Sequence, residues 1–484
     1  MEDCFNANTK EHVDSNTRTE TNSSPPSNSN SCLKFFQYHG VPEAQGFSTF
    51  GIARGALIMS NVVYSTALIV LASKDAGCSE DDDDACDLKV YGFKPSSLIS
   101  NIAILSGLLS AFFMPVIGAV VDFTPHRRLT GLLASVLIIV IQTTQIFLFD
   151  STWFIMAVLQ AIAALVYQVF LLTIFAYIPE ISRKVGNEKM TIYSSRFIIV
   201  QYTVQILFLV LVGAVQSVIG LDDVNTARAS QGMNVVWIAI FFYWGWRLMP
   251  ANPAMHKLPE GHSILTEGFR QNWRTAKNIN THFKGGVRWF LLGTVFSEAS
   301  VAAITTLSVI YLSDSLELGG NKIIIFFVLT LICAPIGSKI SVFATNRTNP
   351  NVSWQMSMLF IFTTLIIGVV TLESIMSDIT NYIWGMFIGI GLGWYYSTET
   401  QFFGSCVPKG IEAELSGFFV YCSQILIWLP PLVFTLLMEN DIAQRWGIAV
   451  SSSLFLVAIG LLRCAAPWET IMEESLCESQ FSEE

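Results

Sequence analysis

From residue 47 onwards the chain alternates between apolar runs of roughly twenty residues and short polar breaks. The runs cover 47–71, 97–121, 129–149, 153–178, 192–219 and 235–249, then 287–312, 323–342, 354–372, 382–403, 415–438 and 446–464. A bilayer's hydrocarbon layer is about 30 Å thick and a helix rises roughly 1.5 Å per residue, so each run is sized for one crossing. The sixth run is the shortest, although its Trp237, Trp244 and Trp246 suit the interface belt where indole rings collect. This pattern predicts an all-α polytopic membrane protein with about twelve transmembrane helices, six on either side of a polar interval.

The polar stretches set the expected organisation. Residues 1–46, rich in Ser, Thr and Asn, read as a disordered tail without a cleavable leader. A first six-helix bundle is expected over 47–249, a linker over 250–286, a second bundle over 287–464 and a short acidic tail over 465–484. Within the linker, 263–283 spaces Ile264, Leu265, Phe269, Trp273 and Ile279 among basic and polar residues. That spacing suits an amphipathic helix on the membrane surface or beneath the bundle, with a solvated loop as the other reading.

Composition agrees with the hydrophobic pattern. Apolar residues make up 52% of the 484 and charged residues only 13%, with a mean hydropathy of +0.52. A water-soluble core cannot hide that much apolar surface. The net charge of −10 comes largely from an acidic loop and the tails, and no basic tract suggests a nucleic-acid partner. The bilayer is the first partner expected.

Basic residues set the orientation. Arg127, Arg128, Arg183, Lys184, Lys189, Lys257, Arg270, Arg274, Lys277, Lys284, Arg347 and Lys409 fall on one set of loops. The opposite set carries Asp81 to Asp84, Asp222, Asp223, Asp314 and Glu439 instead. The excess of Lys and Arg on cytosolic loops places both termini and the linker in the cytosol. Of nine cysteines, Cys333, Cys406, Cys422 and Cys464 lie in or beside apolar runs and read as small hydrophobes. Cys78 and Cys86 bracket the acidic run, either as a disulfide in an oxidising lumen or as two solvated thiols. The acidic run reads as a solvated loop, with gathering of cations as the alternative.

Ionisable groups inside the runs are candidate site residues, because each costs roughly 2.5–3.5 kcal/mol at a helix centre. Glu298 in the seventh run and Glu399 late in the tenth could face a central cavity, pairing with an ammonium or carrying a proton. Arg54 and Arg196 are expected near cytosolic ends, where snorkelling or a carboxylate partner would explain them. Asn61, Gln142, Gln145, Gln160, Gln168, Gln201 and Gln205 add amides suited to interhelical hydrogen bonds or to lining a cavity. Gly389, Gly391 and Gly393 lie within an apolar helix rather than after a strand, so they read as a close-packing face and not a nucleotide loop. No Walker A, HExxH or nucleophile-elbow sequence occurs, so neither ATP nor another cofactor is expected.

Two loops, half a chain apart, carry the organising signal. The first runs from Pro115 through Gly118 and Asp122 to Arg127 and Arg128; the second runs from Pro335 through Gly337 and Lys339 to Arg347. Each leaves an apolar run by small residues and closes on a basic residue about ten positions after the glycine, which suggests two homologous halves. Asp122, at a helix end, can pair with a basic group or helix terminus on the opposite bundle in one conformation only, and so serve as a gate. Fixing a cytosolic loop is the simpler role for the arginines.

The segments "PVIGAVVDFTPHRR" and "APIGSKISVFATNR" resemble the paired loop of the major facilitator superfamily. The stretch "CVPKGIEAELSGFFVYCSQILIWLPPLVF" is similar to the autophagy-related vacuole effluxer family in its Pro408, Lys409, Gly410, Glu412, Glu414, Gly417, Phe418 and Pro430 or Pro431. The resemblance implies a major facilitator fold over about 47–464 and location in the vacuolar membrane. It also implies export of amino acids from the vacuole lumen to the cytosol after autophagic degradation, by alternating access, with protons as a candidate coupling ion. A carrier of another small solute, a lipid-moving or receptor-like member of the fold, and an intramembrane enzyme are the alternatives, the last disfavoured by the lack of a paired catalytic constellation.

The orientation is open to a direct test. The Asn-x-Ser/Thr sequons at Asn22, Asn346 and Asn351 should all face the cytosol and stay unglycosylated. An endoglycosidase-sensitive glycan at Asn346 or Asn351 would overturn both the topology and the pairing of the two loops.

Overall fold

The computed structural model describes residues 38, 40–78, 88–251, 263–310, 320–371, 378–408, 412–439 and 444–476. Most of the expected N-terminal tail, the acidic run with Cys86, and the last residues of the acidic tail lie outside these. The first half consists of α1 (Pro42–Ala76), α2 (Leu98–Phe123), α3 (Arg127–Gln145), α4 (Trp153–Phe175), a short α5 (Ile178–Val185), α6 (Asn187–Ile219) and α7 (Asp223–Leu248). Helix α8 (Ile264–His282) occupies the linker. The second half follows with α9 (Val287–Ile310), α10 (Gly320–Arg347), α11 (Pro350–Thr371), α12 (Asp378–Cys406), α13 (Glu412–Gln424), α14 (Leu429–Glu439) and α15 (Gln444–Leu462), and α16 (Trp468–Leu476) closes the described chain. Six crossings per half result, because α4 with α5 and α13 with α14 each form one. Ten crossings are long and apolar enough to span a bilayer by hydropathy alone; α7 and α12 are long enough but more polar.

Helix ends follow local chemistry. Helix α1 stops at Gly77, whose φ of 87° is open to glycine and whose N–H bonds the Lys74 carbonyl. Helix α7 starts where the Asp222 carboxylate accepts from the Asn225 N–H at 3.2 Å. It is therefore a full 26-residue helix, and the short sixth run at 235–249 was only its apolar half. The polar half is buried inside the first bundle, where hydropathy does not register it. Ser230 donates to Ser60 at 3.1 Å, and the Asn234 amide donates to Gln142 at 3.0 Å. Gln142 in turn donates to Asn61 and Gln145, and Gln145 to Gln160 at 2.6 Å. This chain of amides ties α1, α3, α4 and α7 together where no water would satisfy them.

The eleventh crossing breaks between α13 and α14 because Pro430 and Pro431 supply no amide hydrogens. The Trp428 indole N–H bonds the Ile425 carbonyl at 2.9 Å, satisfying one acceptor at the break. Cys78 is disulfide-bonded, while Cys333, Cys406, Cys422 and Cys464 are free thiols.

Glycines set the closest helix pair of the second half. A Cβ on Gly389 would stand 1.9 Å from the Thr330 carbonyl oxygen, one on Gly393 1.9 Å from that of Ala334, and one on Gly337 1.9 Å from that of Ile390. Backbone of α10 and α12 thus touches directly, as small residues allow in a bilayer. Gly391 points the other way, towards Ile361 of α11. The corresponding glycine of the first half, Gly118, has nothing within 4 Å of a Cβ. Gly337→Ala should therefore destabilise the protein by roughly 1–3 kcal/mol through overpacking. Gly118→Ala should stabilise it by roughly 0.5–1 kcal/mol by favouring the helix. Thermal melting of the purified variants separates the two, and equal shifts would refute the asymmetry.

Candidate functional site

Two carboxyl groups meet inside the second half. Glu298 lies near the middle of α9 and Glu399 in the last third of α12. Tyr395, one turn before Glu399, stands between them: its hydroxyl donates to Glu298 at 3.0 Å and lies 3.4 Å from Glu399. Ser297 is 2.8 Å from the same hydroxyl. The one hydroxyl thus brings both carboxyl groups to a single point between α9 and α12. Tyr395 is fully buried and Glu399 nearly so, while Glu298 keeps partial exposure.

The first half faces this pair with tyrosines and an arginine. Tyr202 of α6 lies within electrostatic reach of both Arg54 and Glu298. Tyr396 lies within reach of Glu298, Glu399, Tyr202 and Tyr167. Arg54 donates from Nε to the Tyr167 hydroxyl at 3.0 Å and sits 5.7 Å from the centre of the Phe175 ring. Helix α1 begins at Pro42, twelve residues earlier, which puts Arg54 about 18 Å along the helix. Arg196 is nine residues into α6 and lies close to Tyr38 and Tyr193.

The first loop is tied within its own half. Arg127 is buried, pairs with Glu180 at 3.0 Å and stacks 3.8 Å above the Tyr177 ring. Arg128 donates to the Trp246 carbonyl at 2.8 Å. In this conformation, then, neither arginine reaches the opposite half, and both anchor the start of α3 to α5 and α7. Asp122 is the penultimate residue of α2, with its side chain outside what the structure describes. In the second loop α10 continues as helix to Arg347, whose guanidinium lies 4.2 Å from the centre of the Phe343 ring.

Other residues join the halves at this basic-loop end. Arg183 donates to the Pro408 carbonyl at 2.9 Å, Gln401 to Thr191 at 2.6 Å, and Ser195 to the Ser338 carbonyl at 3.0 Å. Phe175 and Phe419 add an edge contact across the same seam.

A family model described as "Vacuole effluxer Atg22 like" matches residues 45–469. The chain belongs to the Atg22-like vacuole effluxer family. No curated protein matches it in sequence. Among solved structures, it resembles the proton:xylose symporter XylE of the major facilitator superfamily, bound to 6-bromo-6-deoxy-D-glucose. That match has a TM-score of 0.62 and 10% identity, covering 88% of this chain and 95% of the other. The human organic anion transporter MFSD10 matches with a TM-score of 0.60 at 11% identity, over 87% and 98%. An outward-facing bacterial homologue of the iron transporter ferroportin matches with a TM-score of 0.60 at 16% identity, over 87% and 98%. At these identities the likeness establishes the fold of the major facilitator transporters, and the family match makes the chain an integral membrane transporter.

In this Atg22-like chain the family stretch works as a joint between elements. The Pro408 carbonyl takes the Arg183 guanidinium, and the Glu414 carboxylate accepts the Thr275 hydroxyl of α8. Gly417 on α13 approaches Gly118 on α2, with a Cβ placed 3.9 Å from the Gly118 Cα. Lys409 and Gly410 lie outside the described residues. Three partners had gone unnoticed in the sequence: Tyr395, Glu180 and Thr275. Tyr395 was legible, being four residues from Glu399 on one helix face; nothing local marks the other two.

The Arg127–Glu180 pair yields a stability test. Glu180→Gln leaves a buried guanidinium without its counter-charge. The loss should fall at the lower end of the roughly 3–5 kcal/mol typical of broken buried pairs, since Glu180 retains some solvent. The double variant Arg127→Gln with Glu180→Gln should melt higher than either single variant. Additive losses would show that the two side chains act separately.

Proposed function

We propose that this transporter exports amino acids from an acidic vacuole lumen to the cytosol, coupling their movement to a proton carried by Glu298 and Glu399. The observation that carries the reading is the Tyr395 hydroxyl set between two carboxyls in the interior of a span. One carboxyl of that arrangement can hold a proton while the other, left ionised, pairs with the substrate ammonium. Proton and amino acid bound together cross in the same direction, so an acidic lumen drives export. Arg54, held by Tyr167 in the facing half, supplies a cation for the carboxylate end of a zwitterion. Ionisable groups at such depth mark substrate or proton pathways in transporters generally.

Alternating access follows from the ties at the basic-loop end. With that end taken as cytosolic, the contacts of Arg183, Gln401 and Ser195 hold the path to the cytosol shut. Delivery requires them to part while the halves rock around the carboxyl pair. The family description supports the vacuolar setting, and the proton-coupled symporter among the structural neighbours supports the energetics.

Counterflow in proteoliposomes with labelled amino acids, nucleosides, sugars and metal ions identifies the solute. Glu298→Gln should abolish accumulation driven by a pH gradient. Exchange at equal pH survives if the residue carries only the proton and is lost if it also binds the ammonium. Undiminished gradient-driven accumulation in that variant would remove Glu298 from both roles.

A further inference from the structure

Helix α8 buries three polar side chains against the protein and turns its aromatic residues outward. Glu267, Gln271 and Thr275 are buried, with Glu267 paired to Arg274 at 3.3 Å and Thr275 bonded to Glu414. Thr266, Phe269, Arg270, Trp273, Lys277 and Asn280 are all exposed, and at helical spacing they fall within an arc of about 100°. Trp273 is 78% exposed, a costly state for an indole in water.

The position of α8 says what covers that arc. Gly268 lies so close to α2 that a Cβ would stand 2.4 Å from the Pro115 carbonyl oxygen. Pro115 is eight residues before the end of α2 at Phe123, hence about 12 Å back along a crossing helix. Phe269 continues the outer surface of α2, its ring centre 5.8 Å from that of Phe112, which is itself 60% exposed on a spanning helix. The exposed arc is thus continuous with the lipid-facing surface and lies at the depth of the bilayer boundary rather than beneath it. Its two aromatic rings suit the acyl boundary, and Arg270 and Lys277 beside them suit negative headgroups.

We propose that α8 is an in-plane membrane helix that binds anionic phospholipid, with Phe269 and Trp273 inserted beside Phe112 and with Arg270 and Lys277 holding the headgroups. The whole chain, reconstituted in phosphatidylcholine–phosphatidylserine bilayers, allows a test by brominated lipids, which quench an indole on contact. The signal of Trp273 is the difference between wild type and Trp273→Phe. Brominated phosphatidylserine should quench that signal several-fold more strongly than the same fraction of brominated phosphatidylcholine, a single basic residue near an anionic surface being worth about fivefold. Arg270→Gln combined with Lys277→Gln, both surface changes, should bring the ratio to one while Trp273 stays quenched. Equal quenching by both lipids in the wild type would refute headgroup selection, and a Trp273 signal untouched by either lipid would refute insertion.

Discussion

An ionisable or amide side chain inside this bundle gains most from a partner within the bundle, because the surrounding hydrocarbon offers none. The Tyr395 hydroxyl meets that need for Glu298 and lies close to Glu399, Tyr167 meets it for Arg54, and Glu180 meets it for Arg127. The amide chain from Asn61 to Gln160 does the same for uncharged groups. These contacts differ in what they permit. The amide chain links its members within one half and so stiffens that half. The carboxyl pair also sits within one half, and on the proposed mechanism its remaining hydrogen-bonding capacity is offered to what enters between the halves.

The sequence was most informative where lipid contact and burial agree. Helices exposed to hydrocarbon on one side carry uniformly apolar runs, and their bounds emerge within a few residues. It was least informative where a helix turns a polar face inward. The N-terminal half of α7, with Ser230, Gln231 and Asn234 buried, has the hydropathy of a loop and the environment of a core. The start of α1 at Pro42 likewise precedes its apolar run, because a proline in the first turn rather than apolar density marks it. Glu298 and Glu399 could be read as costly charges at depth, but their meeting is a tertiary fact joining α9 and α12. Only Tyr395, at helical spacing from Glu399, had a local sign.

The two loop signatures are equivalent in sequence and unequal in structure. In the second half, glycine is consumed by the seat between α10 and α12, where carbonyl oxygens occupy the space of a side chain. In the first half, Gly118 has room, and its neighbour across the seam is Gly417 of the opposite half. A contact between two glycines has no side chains to interlock. It can slide or part without stripping rotamers from a packed core. The α10–α12 seat cannot, since any displacement separates direct backbone contacts along a whole helix face. On the proposed mechanism this places rigidity inside the second half and freedom at the α2–α13 seam. Helix α8 touches both sides of that seam, through Gly268 on α2 and Thr275 on Glu414 of α13. On that mechanism a lipid-anchored α8 would bear on a helix pair whose contact can part, so the composition of the leaflet around it would bias the equilibrium between closed and open halves.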